Sequence, residues 1–517
     1  MTRLSSREPA RDWNALAFSG AGVIDVGWIA RMDRRGFLKR GAAAALLAAG
    51  GSGAVAGCGR PGSPAKADYT LRIGHGLVEL APDRVVSTTL YNGQFPGPLL
   101  RFTEGKSVVV DVHNDTDTPE QLHWHGQRLP VDVDGSAEEG TPYIPPRGMR
   151  RLSFTPGPSG FRFYHTHLVP GADLSLGQYN GQVGPVYIEP KQNPGAYDQE
   201  VFLTLKEFEP AFSKGGDMAA TFLAGQAIPE LREKGEAAMA ASLASGKPHG
   251  FEVGYQAFAI NGAMLGHGEP IKVTQGQRVL LHVLNGSATE SRSLALSGHT
   301  FTVVALDGNP VPKPVAVPVL WLGAAERVSA IVQMTNPGKW VLGDLSDDDR
   351  SNGMGTVVEY AGSTGDPQWT PPAPFTWDYR LFALPDATAT PTEQTIDLLI
   401  GKRNADQNGF NVWTLNDTPF DMRTGTPQFE LKLGARYRLR LRNGTDDVHP
   451  IHLHRHTFEV THIAGTPSAG LHKDVAMVGG YQAIDVDFTA DQPGLSLFHC
   501  HQQLHMDFGF MALLNGT

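Results

Sequence analysis

The sequence predicts an all-β protein built from three related units, and three observations carry that expectation. With 60 Gly and 37 Pro in 517 residues the chain is dense in turns, as β-rich chains with many short strands are. A glycine followed by alternating apolar residues and closed by an asparagine occurs three times, at 105–114 (GKSVVVDVHN), 276–285 (GQRVLLHVLN) and 434–443 (GARYRLRLRN). Such alternation is the pattern of a half-buried strand running into a turn. A second glycine-led segment also recurs, from Gly160 to His165-Thr166-His167, from Gly338 to Gly343-Asp344-Leu345 and from Gly494 to His499-Cys500-His501. Repeats on this scale mean one supersecondary unit used again, and the length allows two to four domains.

Taken in order, residues 1–57 are leader rather than fold. Arg34-Arg35-Gly36-Phe37-Leu38-Lys39 is a twin-arginine pattern, and 41–57 is an Ala/Gly/Leu run too short and too weakly apolar to span a membrane. The expectation is a bacterial export signal read by the twin-arginine machinery, with a periplasmic or cell-envelope destination. Met32, just upstream, is an alternative start to Met1. Val55-Ala56-Gly57-Cys58 resembles a lipoprotein signal-peptidase site, which would make Cys58 a lipid anchor; ordinary cleavage nearby is the alternative.

Removal of the leader leaves 35 Lys/Arg against 49 Asp/Glu, a net charge of −14. That argues against nucleic acid or an anionic membrane face as a partner. Of the two cysteines, Cys58 lies in the leader and Cys500 near the C-terminus, so no disulfide staples the mature chain despite an oxidising destination. Stability must come from buried area, which a chain of this size can supply.

Nine residues past the first and third repeat asparagines come His123-Trp124-His125 and His452-Leu453-His454, whereas the same count from Asn285 reaches Leu294-Ala295-Leu296. The middle unit is blank in both repeats. A site assembled between the outer units is expected, with the middle one as a spacer. Linkers at 191–195 (KQNPG) and 362–374 (GSTGDPQWTPPAP) bound units at 68–190, 196–361 and 375–517. An Ala/Glu/Leu-rich interval at 210–247 predicts a short helical insertion, over the second unit's sheet or near a substrate opening. The acidic run 347–349 reads as a solvated loop.

The chemistry concentrates at the C-terminus. Cys500 is flanked by His499 and His501, with His505 five residues on. A thiolate plus two imidazoles is the donor set of a blue-copper electron-transfer site, tuned by a weak axial ligand. On a strand, alternation sends Cys500 to one face and its two neighbours to the other. One residue can then serve an electron-entry copper while His499 and His501 serve a separate centre.

HWHG at 123–126, HTH at 165–167, HPIHLH at 449–454 and HCHQQLH at 499–505 follow one another in that order. With these motifs, residues 68–517 resemble the three-domain multicopper oxidases, the laccase-like cupredoxin family. The resemblance implies three cupredoxin-like Greek-key β-sandwich domains and four copper ions. It makes His449, Cys500 and His505 the type 1 ligands and His123 and His452 the type 2 ligands. His125, His165, His167, His454, His499 and His501 would hold the type 3 pair. It also implies one-electron oxidation of a reductant near His505, transfer through Cys500, and four-electron reduction of dioxygen to water. A phenol-oxidising laccase is the leading reading. A cuprous or ferrous ion oxidase is the alternative, against which the 12 Met are scattered rather than gathered in one segment. A copper-free structural or cell-division relative is a third, disfavoured because none of the ten histidines or the cysteine is missing.

Two departures from the bacterial pattern stand out. Where many relatives carry an axial methionine five residues after the last type 1 histidine, this chain has Phe510, with Met511 beside it. A phenyl ring cannot ligate, so a nearly three-coordinate type 1 copper is expected, unless a register shift lets Met511 reach the metal. Met506 replaces a proton-donating glutamate. Asp134 matches the family's acidic residue near the type 2 copper, a candidate catalytic proton relay alongside His505 and Cys500; the plain alternative is a turn residue. His299, His456, His462 and His472 read as core or surface groups.

Overall fold

The computed structural model describes residues 66–191, 196–214, 225, 227–385, 390–421 and 423–517. The leader, with Arg34, Arg35 and Cys58, and most of the 191–195 linker lie outside the described residues.

All three copies of the glycine-to-asparagine repeat are strands inside a sheet: Val108–Asn114, Arg278–Asn285 and Arg436–Asn443. The outer copies alternate as expected, burying Val108, Val110 and Val112 in one case and Tyr437, Leu439 and Leu441 in the other. The middle copy is buried along nearly its whole length, because the first unit covers its other face; the Phe161 and Tyr187 rings lie 5.3 and 5.1 Å from His282.

The closing asparagine does the same work each time. Asn114, Asn285 and Asn443 are fully buried. Each accepts at Oδ1 the N–H two residues on, from Thr116, Ser287 and Thr445 at 2.9, 3.1 and 2.9 Å. Each donates through Nδ2 to the carbonyl of Thr118, Glu290 or Asp447 at 2.8, 2.8 and 2.7 Å. A buried turn must satisfy its backbone, and asparagine does this from within.

Among the described residues each unit contains two main sheets, and the second adds a two-stranded one that pairs Ala211–Ser213 with Glu252–Gly254. In the first unit they run Arg84–Tyr91, Tyr69–Ala81, Val108–Asn114, Met149–Phe154 and Leu100–Thr103, Val183–Glu189, Gly160–His165, His123–His125. The second and third units each have one six-stranded and one five-stranded sheet. In every unit the repeat strand pairs parallel with the unit's opening strand (Tyr69–Ala81, Gln199–Phe208 or Gln394–Gln407). Parallel neighbours require a crossover rather than a hairpin. The expected all-β architecture is what is found.

The second sheet of each unit carries the distinctive triplets. His123–His125 pairs antiparallel with Gly160–His165, placing His123 opposite His165. His449–Leu453 pairs with Gly494–Cys500 in the same way, placing His452 opposite His499. The middle unit's Arg292–Leu296 pairs with Lys339–Asp344, but Leu294 faces Asp344, one residue out of the register the outer units share. Leu294 and Leu296 are core.

Two expectations need correction. The helix in the 210–247 interval, Pro229–Ala244, lies on the third unit's strand Gln394–Gln407 rather than on the second unit's sheet. Small residues permit the approach: a side chain at Gly235 would collide with the Gly444 carbonyl and the Tyr481 ring. The acidic run is not a loop but the short helix Asp347–Ser351, whose Asp349 pairs with the buried Arg292 at 2.6 Å. Aspartates in a first helical turn suit its dipole.

Candidate metal centre

The first and third units meet through their histidines. His123, His125, His165 and His167 come from one, His452, His454, His499 and His501 from the other, and all eight are buried. His125 stacks on His452 with centroids 3.8 Å apart, and His123 stacks on His454 at 4.0 Å. Ring nitrogens of His123, His452 and His454 converge, as do those of His167, His454 and His499. On the opposite face of the same strand, Cys500 Sγ lies 3.7 Å from His449 Nδ1 and 3.6 Å from His505 Nδ1. Alternation along Gly494–Cys500 thus does separate the thiol from its histidine neighbours.

Sequence comparisons agree with this geometry. The sequence profile of the Multicopper oxidase family matches residues 76–193, 233–360 and 389–516. The Multicopper oxidase MmcO of Mycobacterium tuberculosis is 30% identical over 512 residues, covering 94% of this chain and 97% of its own. The chain belongs to the multicopper oxidase family. A Copper resistance protein A homolog of Pseudomonas syringae pv. tomato is 28% identical over 64% of this chain and 59% of its own. Among solved structures, a multi-copper oxidase from Pseudomonas thermotolerans is 26% identical, with a TM-score of 0.63 over 87% of this chain and all of that one. The laccase of Botrytis aclada shares the fold, at 20% identity and a TM-score of 0.66 over 87% of both chains. This multicopper oxidase is accordingly an enzyme that couples oxidation of a reductant to reduction of dioxygen. Its cofactors are four copper ions, one type 1, one type 2 and a type 3 pair.

The residues fit copper on the chemistry of their own atoms. One nitrogen of most cage histidines is anchored: His165 Nδ1 to Thr166 O (2.8 Å), His452 Nδ1 to Asp474 O (2.7 Å), His499 Nδ1 to Cys500 O (2.8 Å) and His125 Nε2 to Asp474 Oδ1 (3.1 Å). The other nitrogen of His123, His125, His165 and His452, and both nitrogens of His501, are buried without a hydrogen-bond partner. Buried polar atoms are seldom left so, and an imidazole whose far N–H is held by an oxygen is the usual metal-binding arrangement. His454 Nε2 and His499 Nε2 face each other at 3.1 Å, although each ring directs its other nitrogen to an oxygen. Two lone pairs meeting is favourable only around a cation.

Burial pushes the imidazoles of His125, His165, His449, His452, His454, His499 and His501 well below the usual histidine range, and neighbouring imidazoles push the same way. Neutral imidazole is the form that ligates. Burial likewise pushes the Cys500 thiol up, so only a bound metal would favour its thiolate.

Asp134 lies between the two outer units. It is wholly buried, its Oδ2 lying 3.1 Å from His123 Nδ1 and 2.9 Å from His454 Nδ1, with Oδ1 unpartnered. It thus touches one histidine from each outer unit. Gly135 must follow: at φ +105° a side chain there would strike the Leu122 carbonyl.

Two carboxylates were missed in the sequence. Glu139 Oε1 lies 3.5 Å from His454 Nδ1, and Glu138 Oε2 lies 3.6 Å from His167 Nδ1. Burial, and then Asp134 beside it, raise the Glu139 carboxyl well above the carboxylate range. The signal was the pair of acids just after Asp134-Gly135, spaced to fold back on it.

Phe510 is fully buried, its ring 5.0 Å from His449. Met511 packs instead with Leu497, Met506 and Leu513, as strand alternation requires. Trp413 covers the two histidines beside Cys500, 4.0 Å from the His505 ring and 4.9 Å from His449. Of the histidines set aside, His456 is buried with Nδ1 on the His454 carbonyl at 2.9 Å, and His299 meets the Tyr360 hydroxyl at 2.6 Å.

Proposed function

We propose that this chain is a laccase-type oxidase of phenols or similar small reductants, organised as domains 68–190, 196–361 and 375–517. His449, Cys500 and His505 hold the type 1 copper, and His123 and His452 the type 2. His125, His165, His501 and His167, His454, His499 hold the two type 3 ions. The observation that carries this is the meeting of four histidine pairs between the outer units, back to back with a thiol triad on the same strand.

When bound, copper supplies one-electron chemistry at the thiol and, in the cage, a centre able to pass four electrons to dioxygen. The chain supplies the rest. Cys500 is covalently continuous with His499 and His501, so the thiolate and the cage are joined by the shortest stretch of backbone. Phe510 packs its ring against His449 and offers no donor atom, so a copper held here would have His449, Cys500 and His505 as its ligands. Asp134, with Oδ1 free and Oδ2 against His123 and His454, is placed to pass protons towards the cage.

The rim beside His505 supports an aromatic reductant. Phe508 stacks on Phe410 at 4.5 Å, Phe410 meets Phe251 at 5.4 Å and Phe212 at 5.1 Å, and Phe212 is exposed. The Glu252 carboxylate, 3.8 Å from His505 Nε2, is placed to accept a phenolic proton. One observation favours the second reading, a cuprous or ferrous ion oxidase: Asp446 and Asp447 add carboxylates near the same rim. Lys402, almost buried, is ion-paired to both and so offsets them.

Oxygen uptake measured side by side with a phenol, a cuprous salt and a ferrous salt tests the reading. Uptake with the phenol is expected; uptake confined to a metal salt would establish the alternative. The leader is proposed to take the folded protein through the twin-arginine machinery to the periplasm or cell envelope, with Cys58 lipidated. Fatty-acid labelling that persists in Cys58→Ala would contradict the anchor.

A further inference from the structure

The middle unit contributes no histidine to the cage, yet its charges reach it. Asp474, fully buried behind His125 and His452, takes Arg162 Nη1 at 3.0 Å and both terminal nitrogens of Arg327 at 2.6 Å on its carboxylate, besides His125 Nε2. Its carbonyl takes His452 Nδ1. Asp307 accepts the Asp474 and Val475 N–H groups at Oδ2 (3.3 and 3.1 Å) and the Arg327 N–H at Oδ1 (3.0 Å). Lys473 bridges Asp307 at 2.8 Å and Glu326 at 2.9 Å. Arg162 comes from the first unit, Asp307, Glu326 and Arg327 from the second, and Lys473 and Asp474 from the third.

Three acids and three bases, all buried, are therefore packed together where apolar side chains would cost less to desolvate. Stability alone does not account for them. What they do geometrically is immobilise one residue, and that residue holds two cage imidazoles from different units.

We propose that Arg327 and Asp307 are positioning residues for the metal cage: through Asp474 they fix the His125 and His452 rings, so that the domain without ligands sets the geometry of the site between the other two. This rests on His125 and His452 being copper ligands. The planar fork of Arg327 engages both Asp474 oxygens at once and prevents the carboxylate from turning; a lysine, with one charged point, cannot do so. Asp307 fixes the backbone on either side of Asp474 Cα, and with it the carbonyl that orients His452. Partners of this kind set the tautomer and tilt of a ligating imidazole, and losing one typically costs about 10–100-fold in metal affinity.

The test compares copper-loaded wild type with Arg327→Lys and with the isosteric Asp474→Asn, which keeps the packing if the first variant folds poorly. Copper release to a chelator is followed together with the type 1 and type 2 EPR signals and the blue absorption. Both variants are expected to release cage copper about 10–100-fold more readily and to show an altered type 2 hyperfine splitting, with the type 1 signal and blue colour unchanged. Cage release and hyperfine splitting equal to wild type would overturn the proposal. So would parallel loss of type 1 and cage copper, which marks a general structural role. A His125→Ala or His452→Ala variant that keeps all its copper would instead refute the ligand assignment, a different failure that these controls identify.

Discussion

The first and third units share a frame and differ in what fills it. Counting six residues from the repeat asparagine gives Glu120 in one and His449 in the other, and three residues further on each unit has a His-X-His pair. With His123 opposite His165 and His452 opposite His499, Thr166 stands where Cys500 does. Both units therefore present two histidine pairs to the cage, but only the third carries a thiol triad behind them. In the first, Glu120 is buried and accepts from Gln182 Nε2 at 3.1 Å, and the Thr166 hydroxyl is buried without a partner. The lesson is that the cage belongs to the interface of two sheets, whereas the thiol cluster proposed for electron entry is a property of a few side chains on one of them.

The comparison is broken most severely at Cys500. Cys500→Ser should abolish the blue absorption and reduce reductant oxidation to background while three coppers remain bound; persistent colour would show that the thiolate lies elsewhere. His165→Ala should do the reverse. It should keep the blue absorption and its reduction by substrate, but lose cage copper and oxygen consumption, as copper analysis and an oxygen electrode would show.

Asp134→Asn keeps the shape and removes the transferable proton. Turnover with oxygen should fall by about 10²–10⁴-fold, the span of general acid–base contributions, while anaerobic reduction of the blue copper is unaltered in stopped flow. Equal slowing of both steps would reduce Asp134 to a positioning role. A smaller change is expected from Phe510→Met. A thioether favours the cupric state, so the type 1 potential should drop, each ~59 mV being a tenfold change in the one-electron equilibrium. A redox titration reads this, and electron-poor phenols should suffer most.

The smallest functional effect, and the one that sharpens the contrast, is expected at Glu120. Burial pushes its carboxyl up to about 7, so the fold prefers it protonated. Its stabilisation is complete below the ordinary glutamate range and lost as pH rises through about 7, at a cost on the order of 3 kcal/mol. Glu120→Gln should leave copper content and activity intact and remove that loss, so that the unfolding midpoints of variant and wild type diverge between pH 5 and pH 8 in the variant's favour.

Much of this was legible in the chain because strands repeat every two residues and the repeats are local. The asparagine turns, the histidine pairs, the blank middle unit and the opposite facing of Cys500 all follow from spacing. Phe510 beside His449 and Met511 turned away follow from the same alternation. What escaped reading lies across long separations. Asp474 reaches His125 from 349 residues away, and nothing local distinguishes it from a surface aspartate. The middle unit was expected to be a spacer, but it also supplies Arg327 and Asp307. The helix Pro229–Ala244 buries only Leu231, so no amphipathic stripe announced which sheet it would cover. The one-residue offset of Leu294 against Asp344 likewise depends on packing that the glycine and asparagine positions do not record.

Anomalous diffraction at the copper absorption edge, from crystals of the copper-loaded protein, tests the division between shared cage and single entry site most directly. Four peaks are expected, one enclosed by His449, Cys500 and His505 and three among the eight histidines between the first and third units. A peak beside Glu120 and Thr166, or a cage without copper, would contradict it.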